Sequence, residues 1–194
     1  MLIATDFEVG QPVDKVWAFF DDIPQVAACL PGAELTDEVG PDAYKGKVAI
    51  RMGPVKLQFA GTATIKERDE EAKRLVVDAA GADEKGRGQA AMLLTAVLSP
   101  AGSGTKVEVS QDLQLSGAAA QYGRGMVADV TAVLMKDFSR NLQDRMTALE
   151  QGRSADEITS AAPAGGFAIG LAALRMALAR VFRRFFLPYR PSPS

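Results

Sequence analysis

Between residues 33 and 115 the chain reads as six strand segments in succession, with nothing longer than a turn between them. They fall at 33–39, 43–52, 55–68, 74–82, 88–99 and 106–115, each rich in alternating or β-branched residues. The breaks are turn chemistry: Gly40-Pro41, Gly53-Pro54, Asp69-Glu70-Glu71, and the glycine-bearing stretches 81–86 and 100–104. Parallel neighbours need crossovers of about a dozen residues or more, so connections this short restrict the sheet to an antiparallel meander.

The flanks supply the rest of the fold. Residues 2–9 alternate as another strand, closed by Gly10-Gln11-Pro12. Pro12 suits the first turn of a helix, in which Val13, Val16, Trp17, Phe19 and Phe20 recur at helical spacing. A second short helix is predicted over 23–30, stopped by Pro31-Gly32. Ser116 then predicts the cap of a long helix carrying Tyr122, Met126, Val130, Val133, Leu134, Phe138, Leu142, Met146 and Leu149 on one broad face, with Gly152 ending it. Only the concave face of a strongly curved sheet is left to cover that stripe.

One absence narrows the chemistry: the chain has no histidine and a single cysteine, Cys29. Ser-His-Asp and Cys-His catalysis, a histidine base, nearly all zinc, copper and non-haem iron sites, an internal disulfide and a four-cysteine zinc site are excluded. Cys29 lies among Val26, Ala27, Ala28 and Leu30, so it reads as a small buried hydrophobe rather than a nucleophile. The acids Glu67, Asp78, Glu108 and Asp112 fall at outward strand positions, and no carboxylate pair converges beneath the long helix. No catalytic or metal-binding residues are therefore assigned.

The net charge of −2 conceals two halves. Residues 1–152 hold 16 Lys and Arg against 22 Asp and Glu, whereas residues 158–194 hold five Arg and no acid. The acidic body argues against a nucleic-acid partner, whose phosphates require a basic face. The first ten residues lack a basic leader and include Asp6 and Glu8, so the body is expected in the cytoplasm. Three regions are predicted: a domain at 1–152, a flexible linker without periodicity at 153–165, and a tail at 166–194. In the tail, Phe167, Leu171, Leu174, Leu178, Val181, Phe182 and Phe185 form one helical stripe, with Arg180, Arg183 and Arg184 opposite. The wholly apolar part is too short to span ~30 Å of hydrocarbon, so a helix lying on the membrane surface is expected. A helix packed on a protein partner or on its own domain is the alternative.

The element order, with the Trp17-Ala18-Phe19-Phe20-Asp21 helix, the Cys29-Leu30-Pro31-Gly32 turn, Met52-Gly53-Pro54, Phe59-Ala60-Gly61 and Gly104-Thr105, resembles the CoxG family, the G subunit of carbon monoxide dehydrogenase, in the START/SRPBCC helix-grip superfamily. The resemblance spans roughly residues 1–150. It implies an α+β helix-grip fold, a curved antiparallel sheet wrapped around a long C-terminal helix, to which the sequence adds the amphipathic tail helix. It also implies an apolar cavity under the long helix and membrane attachment of molybdenum-containing carbon monoxide dehydrogenase, whose molybdenum and iron–sulfur centres belong to the partner subunits. A lone cysteine cannot ligate a cluster.

Within that framework, inward strand positions are expected to line the cavity: Val48, Ile50, Leu57, Phe59, Met92 and Leu94, facing Tyr122, Met126 and Val130 of the long helix. Phe19, Phe20 and Leu30 are expected at its mouth. Both parities of the strand near 89–98 are apolar, so its inward face is left open. Small residues at Gly46, Gly61, Ala63, Ala79, Ala90 and Ala96 leave space that large ones would fill, and a bulky substitution at Ala63 or Gly61 should occupy it. Gln111, Thr62 and Tyr122 are the polar groups expected to reach a guest. Gly123 and Gly125 read either as a loosened first helical turn or as a close approach of helix to sheet.

The leading expectation is a non-enzymatic carrier, without covalent cofactor, that takes an isoprenoid quinone (menaquinone or ubiquinone) from the membrane and presents it to the dehydrogenase. It would sit at the cytoplasmic face of the cell membrane, held by its tail. Two alternatives stand beside it. One is a structural adaptor that recruits the dehydrogenase without carrying ligand; the other is a small enzyme of the polyketide cyclase type.

Overall fold

The computed structural model describes residues 1–52 and 55–152. The main chain runs β1 (Leu2–Val9), α1 (Val13–Asp21), α2 (Ile23–Cys29), β2 (Ala33–Gly40), β3 (Ala43–Met52), β4 (Val55–Asp69), β5 (Arg74–Asp83), β6 (Gln89–Ala101), β7 (Gly104–Leu115), a 3-10 turn (Gly117–Gln121) and α3 (Arg124–Glu150). The seven strands form one antiparallel sheet in the order β1-β7-β6-β5-β4-β3-β2. Strands 2 to 7 neighbour one another in chain order, as their short turns require, and β1 closes on the far edge of β7. The Gly53-Pro54 turn, the linker at 153–165 and the amphipathic segment at 166–194 lie outside the described residues.

Local chemistry accounts for the short helices. Pro12 stands at the N-cap of α1, which buries Val16, Trp17, Phe19 and Phe20 on one side. Asp22 caps α2 by accepting a hydrogen bond from the Gln25 amide at 3.2 Å, and Pro24 occupies the first turn.

The long helix begins later than the sequence suggests. Ser116 does not cap it: its hydroxyl accepts from the Gln89 amide, and its own amide donates to the Gln89 carbonyl. The Ala118 amide donates to the Arg87 carbonyl at 2.6 Å, and Gly117 takes a left-handed φ of +65°. These bonds tie residues 116–118 to the start of β6 and leave a single 3-10 turn before Gly123 caps α3. A Cβ at Gly123 or Gly125 would meet nothing within 4 Å, so neither glycine serves a close approach. Past the other end, Gly152 adopts a left-handed φ of +69°.

The concave face divides into two parts. In one, Val9, Val16, Trp17, Phe19, Phe20, Leu75, Leu98, Val107, Phe138, Leu142 and Met146 interlock as a filled core, and Phe7 meets Phe138 edge-on at 5.9 Å. In the other, Ile3, Leu57, Phe59, Ala119 and Val127 form a smaller cluster beside an open volume. On β6 the inward set is Met92, Leu94, Ala96 and Leu98, while Leu93 is 48% exposed, which settles the parity of that strand.

Candidate ligand cavity

Strand register explains why half of the concave face is hollow. Leu113, Met92, Ala79, Ala63 and Tyr44 stand side by side across β7 to β3. The next row is Leu115, Ala90, Gly81, Gly61, Gly46 and Leu35, reaching β2. Every residue of both rows lines the cavity. Alanine and glycine at the middle of each row withdraw side-chain volume where the filled half of the core has Leu, Val and Phe. The roof is Val127, Val130, Thr131 and Leu134 of α3, with Ala27 and Leu30 at the α2 end. The volume is about 360 Å³, within the usual range for small-molecule sites.

The lining is apolar almost throughout. Tyr44 and Thr131 are the polar side chains on the inward faces. Glu34, Lys47, Thr62 and Ala80 also border the volume, but each alternates with inward residues and is itself exposed. They contribute through the main chain, because at the glycine row the wall is one backbone thick. At Gly61 a Cβ would lie 2.0 Å from the Ala80 carbonyl oxygen, and at Gly46 2.7 Å from that of Glu34. Gly61 is therefore required by the approach of β5, not by space for a guest. The expectation that a bulky side chain fits there is corrected.

Of the positions expected to bind ligand, Leu30, Val48, Ile50, Leu57, Phe59, Met92 and Val130 meet around this volume. Six others stand elsewhere. Phe19 and Phe20 belong to the filled core, because α1 lies over β6 and β7 rather than over the small-residue rows. Leu94 packs against that same core. Met126 is 43% exposed, since the inward line of α3 runs through Val127 and Thr131, about 100° around the helix from it. Tyr122 precedes α3 and packs on the Ile3–Leu57 cluster. Gln111 is buried at the end of the row that carries the lining residue Val77 but does not itself line the volume, and Thr62 faces outward. Ala96, expected as a small cavity residue, is fully enclosed in the filled core. Tyr44, Leu35 and Thr131 were not anticipated; their inward parity on β2, β3 and α3 is the signal that carries them.

Charged groups brace the wall from outside. The Asp83 carboxylate, its side chain wholly buried, accepts from Arg87 Nε and Nη2 at 2.8 Å each and from the Gln58, Lys85 and Arg87 amides. Arg87 Nη2 also donates to the Lys56 carbonyl at 2.8 Å. The Arg87 guanidinium holds the Asp83 carboxyl well below the usual carboxylate range, against the opposing effect of burial. The pair clamps the β5–β6 connection onto β4, next to the cavity residues Leu57 and Phe59. Near the surface, Lys47 pairs with Glu84 at 2.8 Å, and that hydrogen bond raises the lysine pKa.

Cys29 is fully buried, and its Sγ donates to the Gln25 carbonyl at 3.3 Å. Burial pushes its pKa up to about 11 despite the nearby Arg145, so the thiolate that a nucleophile needs is suppressed. Among the described residues, no group of three or more His, Cys, Asp or Glu side chains is placed to hold a metal ion. No helix among them is long and apolar enough to cross a membrane.

A curved antiparallel sheet closed by one long helix over an apolar cavity defines a helix-grip domain. Solved structures share this fold: a conserved protein from Geobacillus kaustophilus (21% identity, 76% of this chain and 95% of that one, TM-score 0.67), a protein from Thermus thermophilus (17%, 77% and 99%, TM-score 0.55), and an aromatase/cyclase from a Streptomyces species (12%, 80% and 97%, TM-score 0.50). None of the curated protein sequences matches this chain. The family model of the carbon monoxide dehydrogenase G subunit (CoxG) matches residues 6–147, and the chain belongs to that family. Membership ties it to carbon monoxide dehydrogenase as an accessory subunit.

Proposed function

We propose that the domain carries a hydrophobic ligand, an isoprenoid respiratory quinone such as menaquinone or ubiquinone, between the membrane and molybdenum-containing carbon monoxide dehydrogenase. The observation that carries this reading is the apolar cavity of about 360 Å³ in a chain of the CoxG family. Oxidation of carbon monoxide releases electrons, and quinones that accept such electrons are too apolar to cross water unaided. A cavity walled by Ala79, Ala90, Met92 and Leu113 and roofed by α3 shields such a molecule during transit. The protein acts by binding rather than by catalysis: no Asp, Glu, Lys or Arg side chain faces inward at the small-residue rows, and Cys29 is held as the thiol.

The tail completes the proposal. The stripe from Phe167 to Phe185, opposed by Arg180, Arg183 and Arg184, holds the protein on the cytoplasmic face of the membrane, where each Arg gains ~1 kcal/mol from anionic lipid. The test is a reconstituted assay of carbon monoxide-dependent reduction of quinone embedded in liposomes, with and without the protein. Reduction that requires the protein supports the carrier. Reduction independent of it refutes the role, and recruitment of the dehydrogenase by ligand-free protein identifies an adaptor instead.

A further inference from the structure

One buried polar group on the concave face has no partner within the protein. Gln111 is 5% exposed, and its Nε2 donates to nothing. Its cross-strand neighbours are Ile3 on β1 and Leu94 on β6, with Val77 next in the same row on β5, all apolar. The second such atom is Thr5 Oγ1. Thr5 pairs with Val109, two residues before Gln111 on the same face of β7, so the two lie across one diagonal of the β1–β7 ladder, about 7–8 Å apart at the backbone. Among the described residues these are the buried side-chain atoms left without a hydrogen bond, and they share one place.

That place adjoins the cavity. Gln111 precedes the lining residue Leu113 by two positions on the same face, and its row includes Val77, also in the lining. A buried amide without a partner is destabilising, and one acceptor oxygen lodged there would relieve it. We infer that Gln111 and Thr5 form a polar-head subsite at the inner end of the cavity, where an apolar ligand places a carbonyl or similar acceptor, with its hydrocarbon chain along the alanine and glycine rows. Gln111 Nε2 donates to the acceptor and the Thr5 hydroxyl donates a second bond. Ligands of this site are thus amphiphiles with an oxygen acceptor at one end, not plain hydrocarbons. The inference rests on the reading of the cavity as a site for an apolar ligand.

The test compares two probes of matched shape, a decyl-substituted benzoquinone and decylbenzene, on wild type, Gln111→Met and Thr5→Val by fluorescence displacement. Gln111→Met should weaken the benzoquinone about tenfold and leave decylbenzene unchanged. Thr5→Val should act in the same direction to a smaller degree. The melting temperature of ligand-free Gln111→Met should equal or exceed that of wild type, because an apolar side chain of similar shape removes an unpaired buried amide. Equal weakening of both probes, no weakening of either, or a marked fall in melting temperature would overturn the subsite. The last would assign Gln111 to the fold, satisfied by buried water. Wild type that binds neither probe refutes the cavity reading and the subsite with it, whereas wild type that binds both equally well refutes the subsite alone.

Discussion

Gly61 and Ala63 are two residues apart on β4 and both small, yet they are small for different reasons. Gly61 has the Ala80 carbonyl oxygen 2.0 Å from where its Cβ would be, so even Gly61→Ala forces strands β4 and β5 apart. Ala63 sits in the row that opens into the cavity. Gly61→Ala should therefore destabilise by about 1–3 kcal/mol or more in denaturant titration, whereas Ala63→Trp, which fills free space, should change stability by less. Sequence shows that both are small, but not which backbone approaches which. Asp83 supports a pH prediction. Its folded pKa is lowered, so its contribution to stability is complete above the ordinary carboxylate value of about 3.9 and is lost as pH falls below it toward the folded value. Wild-type denaturation midpoints should thus drop as pH falls below about 4. Asp83→Asn should be less stable than wild type at neutral pH and lose less on acidification; a parallel loss in both proteins would contradict the role of the clamp.

At the scale of the element, α3 shows where sequence reading succeeds and where it stops. Its end near Gly152 and its inward Phe138, Leu142 and Met146 are legible from turn chemistry and 3.6-residue periodicity. Its first turns are not, because tethers from Ser116 and Ala118 to β6 compete with helix and win. Apolar residues also occur off the inward line: Val133 is 61% exposed although it shares the hydrophobic pattern. Leu142→Ala should cost about 2–5 kcal/mol in thermal or chemical unfolding, while Val133→Ala should stay within about 0.5 kcal/mol. Comparable losses at both positions would mean that the buried line of α3 is misplaced. The strands were legible as elements for a simpler reason: short turns with Gly, Pro and Asp leave no room for another topology. The cavity was only partly legible, since seven expected positions meet there but α1 directs Phe19 and Phe20 to the filled core.

At the scale of the molecule, residues 1–152 hold every strand and helix described, while the arginine-rich segment 166–194 lies beyond them in the sequence. The two roles proposed should therefore separate. Protein truncated after Gly152 should remain folded and bind a short-chain quinone, but should no longer sediment with anionic liposomes. Full-length binding should weaken as salt rises. Liposome binding by the truncated form would place the membrane contact on the domain itself. The central claim is that the cavity carries a quinone, and the most direct measurement is organic extraction of the purified full-length protein and of Ala63→Trp, with identification and quantification of the released lipid. The account predicts a stoichiometric isoprenoid quinone from wild type and little from the variant, both proteins being folded. Wild type that yields no quinone after purification from quinone-containing cells, or equal yields from the two proteins, would contradict it.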